Sequence, residues 1–234
     1  VVDMRPPAVG FPRSRDAALR AVELDDQLAE AHGALGHFAV QFERDWSEGE
    51  RLYRKALELR PSYAQAVMWL ANNHLMQGRT DLALSEARQA QLLEPMSPTF
   101  AANVGLVLSY TGRLDAAFQQ LSGLLEASPD FPLARHHLAR VHIFRNEPEA
   151  AIRLLEGYSE RTPGGLPNLG RAYALAGRTD DARAEIGRLQ ALGAQGIGVG
   201  YYVALILATL GEHEPALDAL EAGMTDHSQQ MGWL

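Results

Sequence analysis

Histidines, carboxylates and one glycine-rich stretch are the places where this sequence offers chemistry. Of its eight histidines, His136, His137 and His142 fall in one predicted helix. Two metal ligands on one helical face need a spacing of about four residues. Here the pairs 137/142 and 136/142 are five and six apart, and the chain has no cysteine. No metal site is expected, and the three read as ordinary helix histidines, some facing a groove. The carboxylates Asp81, Asp115, Asp180 and Asp181 stand at predicted helix starts, where negative charge complements the helix dipole and the free N–H groups. No G-x-S-x-G, H-E-x-x-H, Walker-type loop or Cys/His pair occurs, so neither a catalytic centre nor a cofactor is expected. Residues 193–200 (GAQGIGVG) precede a predicted helix, a position that can hold phosphate. No strand precedes them and they contain no Lys or Arg, so a flexible connection is the expectation. Residues 199–210 (VGYYVALILATL) read as a helix buried between neighbours, and Trp69, Tyr173 and Phe118 as packing residues.

What must position these side chains is helical. Among 234 residues there are 36 Ala and 34 Leu, against 23 Val, Ile and Thr together. Ala and Leu are strong helix formers, whereas sheets lean on β-branched residues. The chain is also periodic. Prolines stand at Pro61, Pro95, Pro129 and Pro163, each 34 apart. Small residues recur at Gly49, Ala83, Ala117, Ala151, Ala182 and Ala216, and again at Gly36, Ala71, Gly105, Ala139, Gly170 and Ala204. A fourth series is Gly78, Gly112, Asn146, Gly177 and Gly211. All share one period, with a single three-residue deletion between Pro163 and Leu169.

Each series has a physical reading. Gly, or Asn as second choice, ends a helix in the left-handed conformation. Proline ends the second helix of each unit. The small residues mark where the two helices cross. The unit is therefore an antiparallel helix hairpin, and stacking of hairpins supplies the core that one alone lacks.

These residues resemble the tetratricopeptide repeat family. The pairs Leu35-Gly36, Leu70-Ala71, Leu138-Ala139 and Leu169-Gly170 match its first helix, and residues 55–61 (KALELRP) match the end of its second. The resemblance implies an all-α, right-handed superhelical solenoid. Repeats are assigned at 29–63, 64–97, 98–131, 132–165, 163–196 and 197–230, with a tail at 231–234. Repeat one carries one extra residue near 42–46. Residues 1–28 are read as an extension plus an orphan second helix at 15–26, which aligns with 49–61 at an offset of 35. That orphan, and the missing initiator Met, suggest a piece cut from a longer chain. Residues 5–26 also resemble the repeat region of bacterial signalling proteins, where repeats follow a winged-helix, cyclase or kinase domain.

The resemblance further implies which side chains face the concave groove. They include Met68, Asn72 and Met76 in repeat two, Asn103 and Tyr110 in repeat three, His137, Arg140 and Phe144 in repeat four, and Asn168 and Arg171 in repeat five. Groove amides in this family hold peptide backbones, and the three asparagines here serve that role or are simple inheritance. Met68, Met76, Tyr110 and Phe144 form either an adaptable recognition lining or part of the core. The family's carboxylate clamp is disfavoured, because Met68, Leu133 and His137 replace its cations. Arg140 and Arg171 remain able to fork onto an acidic group.

The expected function is a non-enzymatic scaffold that binds a protein or peptide in its groove. The alternative is the regulatory arm of a larger bacterial signalling protein. With a net charge of −8 and no basic cluster, nucleic acid is not an expected partner. The longest apolar run is too short for a membrane span, and a cytoplasmic location is expected. End-to-end self-association is expected from the unpaired apolar face near Ala17, Ala18 and Leu19.

Overall fold

The structure, a computed structural model, describes residues 7–158 and 165–225. Among the described residues there are thirteen α-helices and no strand. After α1 (Pro7–Leu24) they form six hairpins. These are α2 (Ala29–Phe38) with α3 (Trp46–Leu59), α4 (Ala64–Met76) with α5 (Thr80–Leu93), and α6 (Pro98–Tyr110) with α7 (Leu114–Ala127). Then come α8 (Pro132–Phe144) with α9 (Pro148–Leu155), α10 (Leu166–Leu175) with α11 (Thr179–Gly193), and α12 (Gly200–Thr209) with α13 (His213–Thr225). The first helices also touch along the stack, α4 on α6, α6 on α8, α8 on α10 and α10 on α12. They therefore share one face.

The turn inside each hairpin follows from one left-handed residue. Gly78, Gly112, Gly177 and Gly211 have φ of 72°, 74°, 74° and 81°, and Asn146 has 58°. At Gly78 the capping bonds run from Arg79 N to His74 O (2.9 Å) and from Gly78 N to Leu75 O (3.0 Å). They satisfy carbonyls that a helix end leaves open. Repeat one differs. Its extra residue is absorbed as a π-helical turn at Ala39–Glu43, and Arg44 takes the left-handed position with φ 59°.

The small-residue series sit where expected, at the crossings. A methyl on Gly49 would lie 2.2 Å from Val40 Cγ2, and one on Gly36 would lie 2.8 Å from the Tyr53 ring. Ala71, Ala83, Ala117, Ala139, Ala151 and Ala182 are fully buried. Two large apolar clusters result, one running through α4 to α8 and one through α8 to α12, with two small ones around Ala56 and Tyr53. Helices α3, α5 and α7 stop two residues before Pro61, Pro95 and Pro129.

Three expectations are corrected. Helix α9 was expected to run past Tyr158 towards Pro163, yet it ends at Leu155. Glu156 turns out at ψ 132° and Gly157 is left-handed at φ 74°; Pro163 lies outside the described residues. The stretch 193–200 is not a loose connector at its end. Gly200 is packed so tightly against α13 that a methyl there would meet Gly223 N at 2.4 Å. The orphan helix starts at Pro7 rather than at 15, and packs on α2 with Ala18 buried. Asp81, Asp115, Asp180 and Asp181 stand in the first turns of α5, α7 and α11, as expected; Asp81 and Asp115 also pair with Arg113 and Arg145 of the next repeat. Asp45 does cap, accepting from Glu48 N at 2.9 Å.

Among the described residues no helix is long and apolar enough to cross a membrane.

Candidate functional site

On the shared face of the first helices, a cavity of about 420 Å³ opens between repeats three and six. Four helices build it. α6 contributes Leu106 and Tyr110, and α8 contributes Leu133, His136, His137, Arg140 and Phe144. α10 contributes Pro167, Asn168 and Arg171, and α12 contributes Tyr201, Tyr202 and Leu205. Within α8, positions 133, 136/137, 140 and 144 follow the helical three-and-four spacing, so one stripe of the helix faces the cavity.

Aromatic rings form its walls. Tyr110 and Phe144 meet edge to face with centroids 5.7 Å apart, and Tyr201 meets Tyr202 likewise at 5.8 Å. Such edge-to-face pairs suit the ring quadrupole. The two arginines rest on these rings. Arg140 lies 5.3 Å from the Tyr110 centroid and Arg171 6.0 Å from that of Phe144. Each contact is a cation held on an electron-rich face. Among the described residues, no Asp or Glu lines the cavity.

The polar groups are strongly perturbed. Burial, with Arg140 and Arg135 adding repulsion, brings the His136 imidazole down to about 4. His137 is held well below its ordinary value by burial, then by Arg140 and His136. Both rings are therefore neutral near pH 7. Burial also lowers Arg171, with Arg140 the next cause, and burial raises the Tyr201 and Tyr202 phenols.

Six of the ten groove residues expected from the sequence come together here: Tyr110, His137, Arg140, Phe144, Asn168 and Arg171. Asn168 is already engaged, donating from Nδ2 to the His136 carbonyl at 3.0 Å. It thereby ties α10 to α8. The other four lie elsewhere. Met68 is sealed at 1% exposure within the apolar cluster that runs through α4 to α8. Met76 is half-buried against Val40, Tyr53 and Leu70. Asn72 and Asn103 are half-buried outside the cavity, and Asn72 Oδ1 has no hydrogen-bond partner. Its neighbour Asn73 is the buried amide, donating to the Trp46 carbonyl at 2.9 Å.

Tyr201, Tyr202 and Leu205 were not expected at the site. They occupy in repeat six the same fifth, sixth and ninth places that Pro167, Asn168 and Arg171 occupy in repeat five. Carrying the register one repeat further finds them. The apolar run around them had concealed it. Among the described residues, no cluster of His, Asp and Glu has a metal-holding arrangement.

Comparison with known proteins agrees with this architecture. Models of the tetratricopeptide repeat match residues 34–99 and 110–168, together just over half of the chain. The cellulose synthase operon protein C of Pseudomonas fluorescens (strain SBW25) is 27% identical over 188 residues. That match covers 76% of this chain and 15% of that much longer protein. Among solved structures, the APC/C hetero-tetramer Cut9–Hcn1 superposes with a TM-score of 0.68 at 18% identity, covering 92% of this chain and 43% of that one. A tetratricopeptide repeat protein from Parabacteroides merdae gives 0.66 at 15% identity, covering 92% and 86%. With a 34-residue period, left-handed hairpin turns and small residues at every crossing, the chain belongs to the tetratricopeptide repeat family.

Proposed function

We propose that this chain is a non-enzymatic scaffold that binds a segment of a partner protein along its concave face, centred on the cavity of repeats three to six. One observation carries the reading. Aromatic rings and two arginines that have no carboxylate partner among the described residues converge from four separate first helices onto one open cavity. Partner-binding surfaces are enriched in Tyr and Arg, which combine large contact area with directional hydrogen bonding. The absence of cysteine suits a reducing, cytoplasmic location.

Peptides selected against the whole chain test this. Leu205→Glu places a charge at the cavity mouth, and the double variant Asn72→Ala, Asn103→Ala removes the amides further along the face. A loss of about tenfold in affinity is expected for Leu205→Glu. If selected peptides bind both variants as tightly as the wild type, the concave face is not the site.

A second reading, a regulatory arm within a larger signalling protein, rests on the resemblance of residues 5–26 to the repeat region of such proteins. Sequencing the gene on both sides of this segment decides it; a reading frame without a catalytic or DNA-binding domain rules it out. Self-association through exposed Leu19 and Leu24 on α1 is part of either reading. It is expected as a rise in scattering mass with concentration, absent in Leu24→Asp; a constant mass in the wild type refutes it.

A further inference from the structure

Two residues that line the cavity each carry a buried N–H group with no acceptor among the described residues. His137 is 6% exposed, and its Nε2 is sealed from solvent without a hydrogen-bond partner. Its other nitrogen, Nδ1, lies 3.5 Å from Nη1 of Arg140. A guanidinium only donates, so Nδ1 is the acceptor and the ring proton sits on Nε2 as a free donor. The Nε of Arg171 is also buried and unpaired. An orphaned buried donor costs about 1–3 kcal/mol. Both residues line the cavity, so its wall is rich in donors and short of acceptors.

The charges point the same way. Arg140 and Arg171 stand close enough for Arg140 to disfavour the charged form of Arg171. Neither has a carboxylate partner among the described residues, and each lies on an aromatic ring instead. One carboxylate neutralises one guanidinium; this pair calls for two negative charges. The chain as a whole carries −8, so the cavity is a cationic spot in an acidic molecule.

We propose that this cavity binds a doubly charged oxyanion of the phosphate monoester class. Arg140 and Arg171 fork onto its oxygens, and the rings of Phe144 and Tyr201 flank the organic body. A phosphate monoester carries roughly −1.5 to −2 charges at pH 7 and three strong acceptor oxygens, and arginine pairs with it in two parallel hydrogen bonds. The carrier is a phosphorylated side chain of the bound partner or a free molecule of the same chemistry. The inference rests on the groove reading for its carrier and on the cavity alone for its chemistry.

Phenyl phosphate is the probe, titrated calorimetrically into the whole chain at low salt, with benzoate as the singly charged control. Saturable binding is expected, at least about tenfold tighter than benzoate. Arg171→Gln should lose about tenfold or more, and Arg171→Lys, which keeps charge but not the fork, should lose less. Arg88→Gln, on a second helix, should change nothing. Circular dichroism establishes that each variant is folded, and Arg171→Lys stands in if Arg171→Gln is not. No saturation by roughly 10 mM, equal affinity for the two probes, or wild-type affinity in both Arg171 variants overturns the proposal.

A phosphotyrosine peptide and its unphosphorylated form separate the carriers. Preference for the phosphorylated form supports a partner side chain. Tight phenyl phosphate binding without peptide binding supports a free molecule and removes the peptide reading. Peptide binding indifferent to phosphorylation, with no phenyl phosphate binding, overturns the anion site and leaves the groove.

Discussion

A methyl group added at Gly105 would sit 2.5 Å from Leu121 Cγ, inside the contact between α6 and α7. Leu121 is fully buried and has nowhere to retreat. Gly105→Ala should therefore destabilise by about 1–3 kcal/mol in urea unfolding, the usual penalty for overpacking. Gly123→Ala is the control. Nothing lies within 4 Å of that added methyl, so helix propensity alone should stabilise by up to about 1 kcal/mol. The buried histidines give a second prediction at this scale. His37, His136 and His137 all have pKa values below the ordinary 6.5, chiefly through burial. The unfolded chain then binds protons more readily than the folded one, so stability is full above about pH 6.5 and falls as pH drops towards 4. Urea midpoints at pH 7.5 and 5 should differ in that direction, and His137→Phe should reduce the difference.

The hairpin turn is where sequence and backbone meet most directly at the scale of the element. Gly78 has open space around it but a φ of 72°, so Gly78→Ala loses conformational freedom and no packing. A cost of about 1–2 kcal/mol is expected. Arg44 occupies the equivalent turn of repeat one at φ 59°, and Arg44→Gly should stabilise by a similar or smaller amount. Thermal melts of the two variants should move in opposite directions. These turns were legible because glycine, with asparagine behind it, marks the left-handed position wherever it recurs. The π-helical turn at Ala39–Glu43 was legible only as a count of one extra residue. A period says that a residue is surplus, and the local hydrogen bonding decides where it goes. The early end of α9 was not legible at all. Its sequence continues in register to Tyr158, and the competing signal is a single glycine, Gly157.

Stacked repeats contact chiefly their neighbours, so the stability of the whole molecule is close to a sum of local terms. Helices α4 to α8 share one continuous buried cluster, whereas α1 packs mainly on α2. Native-state hydrogen exchange should show the highest protection in α6 and α8 and the lowest in α1; uniform protection along the stack would contradict this. The candidate site was legible at this scale through its register. Arg140, Arg171, Phe144 and Tyr110 were found by counting places within repeats, although they come from three different helices. For Met68 the same count left lining and core both open, because a place in the register does not say whether a side chain stops at the surface or enters the core; it enters the core.

The three-residue deletion beside the short α9 has one further consequence. A perfectly periodic surface is degenerate: a guest shifted by one unit finds the same contacts, so no single alignment is preferred. Here the interruption falls between Arg140 and Arg171, next to the cavity they share. For the proposed bound segment, this stacking fault would lift the degeneracy and give an otherwise translational groove an origin from which to index it.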